Sequence, residues 1–315
     1  YLGDTTGAND ATLYYVSNVS PFTAKAGIVV QAGSTGTKTI RTGNSAGSDD
    51  TAITLNDNLS INTDTEFTLG GAIGGSGGMT KIGNSTLTLS GANTYSGNTI
   101  VSDGTLSLAT GSSHSGTGAY TVEGGILKVA TGVDLSTHAM TIGLGGVISP
   151  GNSPGTAITG SQTWNDGGTF LWEINASDDA GGTIGTDPGW DWLDITGTLD
   201  LANLSAGGFT IDIDSLTASN LAGDAVGFDT WTKGTPGDVD YSFIIASASG
   251  GITDFDAADF TLDSSGFTNG PSWDWQIVLS GGTDLVLEAY AIPEPSSTAL
   301  LGLGGLVLML RRKRS

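Results

Sequence analysis

Residues 77–108 read GGMTKIGNSTLTLSGANTYSGNTIVSDGTLSL. Leu87 and Leu89 alternate with threonines, which places both leucines on one face of an extended strand. Leu106 and Leu108 repeat the pattern nineteen residues later, and Leu127 and Val129 follow twenty-one after that. Val147 comes twenty further on. A second series, Ile100, Val122 and Ile142, runs alongside at spacings of 22 and 20. Each interval of about twenty residues therefore reads as two short strands separated by Gly-rich turns, the mark of a β-solenoid.

The energetics explain why such units stack. One coil offers about four inward aliphatic side chains, each worth roughly 1.5–3 kcal/mol when buried. Ordering its backbone costs about 1–2 kcal/mol per residue. A lone coil cannot fold, whereas stacked coils pair both strand edges of every rung. The runs Ile53–Leu55, Leu59–Ile61 and Phe67–Leu69 read as further rungs with less regular spacing. A twisted Greek-key sandwich is the alternative architecture.

Composition agrees with an all-β chain. The 315 residues include 51 Gly, 8 Pro and no Cys. Only 13% are charged and 37% are hydrophobic, unlike a disordered segment. Without Cys there is no disulfide framework and no thiolate metal site. Ten Lys and Arg face 32 Asp and Glu, a net charge of −22, and four of the ten lie at 311–314. That balance excludes nucleic acid as a partner, because phosphate binding needs a basic surface.

The composition shifts near residue 160. All seven Trp lie between Trp164 and Trp275. We therefore divide the chain into a β-solenoid over 1–160, a Trp-rich β module over 161–292 that either continues the solenoid or stands apart, and a tail over 293–315. The module's last hairpin is legible: Trp273, Trp275, Ile277 and Leu279 alternate, Ser280–Thr283 turns, and Leu285, Leu287 and Ala289 return. Pro293-Glu294-Pro295 then stops strand pairing.

From Ala299 to Leu310 every residue is apolar or Gly, and Arg311, Arg312, Lys313 and Arg314 follow. Residues 296–310 predict a short hydrophobic helix reaching roughly 22 Å at about 1.5 Å per residue. A bilayer's hydrocarbon core is about 30 Å thick. Such a helix inserts only marginally, with arginines snorkelling to the interface. The basic cluster belongs on the cytoplasmic side and the rest of the chain outside it. The tail thus reads as a stop-transfer handle holding the chain transiently at the cytoplasmic membrane; a permanent one-helix anchor is the alternative.

Pro293-Glu294-Pro295, the Leu/Gly run and Arg311–Arg314 together resemble the PEP-CTERM sorting signal of Gram-negative bacteria. The resemblance implies recognition by an exosortase, a membrane cysteine transpeptidase that cuts near Pro293, Glu294 and Pro295. It implies delivery to the cell surface or extracellular matrix, in the company of exopolysaccharide. Residues 70–108, GGAIGGSGGMTKIGNSTLTLSGANTYSGNTIVSDGTLSL, are similar to the autotransporter-associated β-strand repeat, which implies a right-handed parallel β-helix. ISPGNSPGT at 148–156 and the stretch 168–199, ending GWDWLDITGTL, resemble the segment that follows such repeats in related surface proteins. True autotransporters end in a membrane barrel. The basic tail here departs from that pattern, so self-export through a barrel is not expected.

No catalytic residue is expected. G-x-S-x-G occurs at Gly43–Gly47, Gly74–Gly78 and Gly151–Gly155. A nucleophile elbow needs a strand before it and a helix after it, and no helical periodicity follows any of the three. After Ser153 comes Pro154, which has no N–H for an oxyanion hole. His114 falls in a loop-like GSSHSG and His138 precedes a strand. Polysaccharide lyases on β-helices need a basic residue for proton abstraction, and outside the tail there are only Arg41 and five Lys. A carboxylate pair for neutral glycans would have to come from Asp178, Asp179, Asp191 and Asp194; on one strand Asp191 and Asp194 face opposite sides.

Binding is the better alternative to a purely structural role. Trp190 with Trp192, and Trp273 with Trp275, would share faces of strands, where exposed pairs stack on sugar rings and buried pairs are core. Asp254, Asp256 and Asp259 are weak candidate Ca2+ ligands, since hard cations want six to eight oxygens. No other cofactor is expected.

Overall fold

The computed structural model describes residues 1–15, 27–43, 45–228, 239–270 and 273–291. Among them the chain is all-β, with helical geometry confined to two short 3-10 turns, Asp178–Ala180 and Ala257–Asp259. The strands stack as a parallel β-solenoid. The first face is a ten-stranded sheet running from Ala11–Tyr15 to Ile252–Thr253. The second face runs from Gly47–Asp49 through Thr86–Leu89 and Thr169–Ile174 to Phe260–Asp263.

A third face completes each coil, and periodicity alone does not reveal it. Its strands shrink to two residues at Ala92–Asn93 and Ser113–His114, too short to carry an alternating pattern. The early runs that seemed irregular are one coil seen whole. Ile53–Leu55 lies on the third face, Leu59–Thr63 on the first and Phe67–Leu69 on the second.

Register fixes the core. On the second face Phe67, Leu87, Leu106, Leu127, Ile148, Phe170, Ile211 and Leu262 form one continuous column. On the first face the column is Ile40, Ile61, Lys81, Val101, Val122, Ile142 and Trp164. Two positions in the expected series are therefore displaced by one residue. Val101, not Ile100, and Ile148, not Val147, point inward. Successive residues of a strand alternate sides, so a one-residue error exchanges core for surface.

Lys81 is the exception in its column. Its stem is buried among aliphatics while Nζ donates to the carbonyls of Ile82, Gly83 and Asp103 at 3.1, 2.6 and 2.9 Å. It thus closes the corner between the first and second faces of two adjacent coils. Burial pushes its pKa down to about 8, with nearby Asp103 opposing the shift. At the same corner Gly104 has φ 59°, and a Cβ there would lie 2.3 Å from the Gly83 carbonyl oxygen. Only glycine lets the coils approach so closely.

The ladders run across residues 160–161, where the composition changes: Met140–Gly143 pairs with Gln162–Asn165, and Thr156–Thr159 with Trp192–Ile195. Trp164 stacks on Phe209 at 4.2 Å and 4° inside the solenoid, so wider side chains replace leucines. The final hairpin, Trp273–Ser280 and Asp284–Ala291, pairs antiparallel with Tyr241–Ala248. Gly281 and Gly282 take φ 62° and 80° at its turn.

The hydrophobic helix expected at 296–310 lies outside the described residues. Among those described, no helix is long and apolar enough to cross a membrane.

Candidate functional site

The sorting residues Pro293, Glu294, Pro295, Arg311, Arg312, Lys313 and Arg314 lie outside the described residues. What is described is their root: the strand Asp284–Ala291, paired on both sides within the terminal sheet, leads directly into them.

The Trp pairs behave differently from one another. Trp190 and Trp192 do not share a face. Trp190 pairs antiparallel with Ile174 on the second face, and Trp192 pairs with Thr156 on the third. Trp190 is buried, its Nε1 donating to Ile244 O, and its ring meets Phe243 edge-on at 5.0 Å. Trp192 is half-buried and donates to Ser247 Oγ. Trp273 and Trp275 do share a face, and both are half-buried. Trp273 packs on Tyr241 and Phe228, and Trp275 on Phe267 and Trp172. Beside them opens a groove of about 370 Å³, with Ser264, Thr268 and Asn269 on its wall.

The acidic candidates hold turns. Asp256 accepts from Ala258 N at 2.9 Å, capping the short turn that contains Asp259, and Asp254 is exposed at φ 57°. Asp178 and Asp179 sit in the other exposed 3-10 turn. Among the described residues no three His, Asp or Glu side chains gather as metal ligands would.

One polar cluster was not foreseen as such, although its residues were visible. Asp191 is fully buried. Its Oδ1 accepts from Gly155 N at 2.7 Å and its Oδ2 from Glu173 N at 3.1 Å, while Trp172 Nε1 donates to its carbonyl. Burial, with Glu173 beside it, holds its carboxyl well above the usual carboxylate range. Ser153 donates to Glu173 Oε2 at 2.5 Å and accepts from Lys128 Nζ at 3.4 Å. The knot joins the Gly151–Gly155 loop to the strand Thr169–Ile174 and to Asp191, which links Gly189–Trp190 to Trp192–Ile195. As chemistry it falls short of a nucleophile elbow: Pro154 supplies no N–H, and Ser153 does not line the groove beside Trp273 and Trp275. The knot pins the GNSPG loop. Its positive φ of 62° at Ser153 is held by the hydrogen bonds that Glu173 and Lys128 make to the side chain.

The two histidines are core residues. His114 meets Tyr120 Oη at 3.2 Å and Ser112 Oγ at 3.1 Å. His138 lies between two carbonyls, Gly118 O at 2.6 Å from Nδ1 and His114 O at 3.1 Å from Nε2. Burial, then the neighbouring His138, lowers the His114 pKa to about 4.

Two stretches match known families. Residues 79–108 match the Passenger-associated-transport-repeat, and residues 291–314 match the PEP-CTERM protein-sorting motif. The chain carries a passenger-type repeat and an export-sorting tail. It is an exported protein, and its tail is the kind of signal that an exosortase processes. Both matches are sorting and repeat signals rather than catalytic domains. No curated protein matches the chain.

Proposed function

We propose that this protein is a non-enzymatic scaffold of the cell surface or extracellular matrix, structural or adhesive in role and associated with exopolysaccharide. The observation that carries the reading is that the last described hairpin, from which the chain runs on into the tail, closes one end of the stacked coils. The first face alone has ten strands. At about 4.8 Å per strand they rise roughly 43 Å. The sorting residues follow the last strand, Asp284–Ala291, directly in the chain. Residues 296–310 hold the chain transiently in the cytoplasmic membrane, with Arg311–Arg314 inside. Cleavage near Pro293-Glu294-Pro295 then releases the solenoid outward.

The test is the intact mass of protein recovered from outside the cells. Loss of everything beyond the Pro-Glu-Pro region is expected. Mature material that still carries Arg311–Arg314 would overturn the reading.

A second reading, a glycan-binding module, is favoured by the half-buried Trp273 and Trp275 beside their open groove. Soluble glycans should then quench Trp fluorescence in the wild type and quench it less in Trp275→Ala.

A further inference from the structure

The third face is interrupted once among the described residues. Its first ladder ends at Ser113–His114, its second begins at Asp134–Leu135, and these two strands do not pair. Ser113 N and Ser115 N donate to Gly91 O and Asn93 O of the coil below, while Asp134 and Leu135 pair with Ile158 and Thr159 of the coil above. What bridges the break is a side chain: His138 Nε2 lies 3.1 Å from His114 O.

A surface groove of about 380 Å³ opens at this break. Its wall carries the hydroxyls of Ser113, Ser115, Ser136 and Thr137, with Asp134 among them. Ser113, Ser115, Asp134 and Thr137 are exposed. At Gly132, also on the wall, a Cβ would meet nothing within 4 Å.

The lining narrows the ligand. It holds no Lys or Arg, burial lowers the pKa of its one histidine, His114, to about 4, and its one carboxylate repels anions, so phosphates and uronates do not fit. The Ser136 N–H at 2.8 Å keeps Asp134 below the usual carboxylate range. A single carboxylate is too few for a calcium ion. A peptide strand would find no large apolar side chain on the wall for its alternate side chains to pack against. Hydroxyls that both donate and accept, beside one strong acceptor, match a polyol. The volume sits near the lower end of ligand-binding sites, roughly one or two sugar rings.

We propose that this groove, at the break in the third face, binds a neutral, hydroxyl-rich saccharide. The proposal rests on the reading that the protein works among matrix glycans, and it places the contact far from the Trp-rich hairpin.

The test is affinity electrophoresis of the full chain through gels containing soluble neutral glucan, mannan or galactan. Retardation by at least one is expected. Thr137→Trp and Ser113→Trp fill the groove from exposed positions, and each should weaken retardation at least tenfold. Thr54→Trp, exposed on the same face in an earlier coil, should leave it unchanged, and circular dichroism checks that all three variants fold. No retardation in any gel overturns the inference. So does retention of binding in both groove variants, or equal loss in Thr54→Trp. None of these results touches the sorting reading, which stands or falls on the mass of the exported protein.

Discussion

Replacing Asp191 with Asn tests the buried knot, because it keeps the shape and changes only the hydrogen-bond polarity. In the wild type both carboxyl oxygens accept backbone N–H groups, from Gly155 and from Glu173. An asparagine has one accepting oxygen, so one of these N–H groups would face an NH2 donor instead. An unsatisfied buried donor costs about 1–3 kcal/mol, and Asp191→Ala, which orphans both, about twice that. The pH dependence separates this from a simple packing defect. The Asp191 pKa is raised in the folded chain by burial and by Glu173. Such a group contributes stability that is complete below the unfolded aspartate value near 3.9 and is lost as pH rises through the folded value. At most about 1.4 kcal/mol per pH unit is involved. Urea unfolding followed by Trp fluorescence, repeated from about pH 4 upward, should show wild-type stability falling by this slope and Asp191→Asn lacking it. An Asp191→Asn protein as stable as wild type, with the same pH slope, would refute the assignment of Asp191 as a doubly accepting group whose carboxyl is held above its ordinary range.

Three other outcomes follow from the same geometry. His114 is depressed to about 4 by burial, so its contribution is present above the unfolded value near 6.5 and is lost as pH falls through 4. Acid unfolding of His114→Gln should lack that part of the slope, about 3 kcal/mol over the interval. Leu106→Ala, in the middle of the second-face column, should cost about 2–5 kcal/mol in a urea titration. Lys81→Ala leaves three carbonyls of one corner without their ammonium donor. It should raise amide hydrogen exchange around residues 82–84 and 103–104 more than elsewhere.

The solenoid was legible from residues 77–108 because leucines inside a strand must alternate, and because coils of similar length stack like on like. The tail was legible because its Pro-Glu-Pro, apolar run and basic end are contiguous in the chain. The third face was not, since Ala92–Asn93 and Ser113–His114 have no room for a pattern. Nor was the role of Lys81, which breaks the apolar column yet belongs to it: a flexible stem can fill core space while three carbonyls satisfy its charge. The Trp pairs show the limit of spacing arguments most clearly. Trp190–Trp192 and Trp273–Trp275 have the same i, i+2 spacing. The second pair lies on one unbroken strand and shares a face, while the first straddles Asp191, where the chain passes from one sheet to another. What places Asp191 there is contact with Gly155 and Glu173, 36 and 18 residues away. Polar groups that hold a solenoid together at its irregular points find partners 18 to 36 residues away, far outside the few residues that an alternating pattern spans.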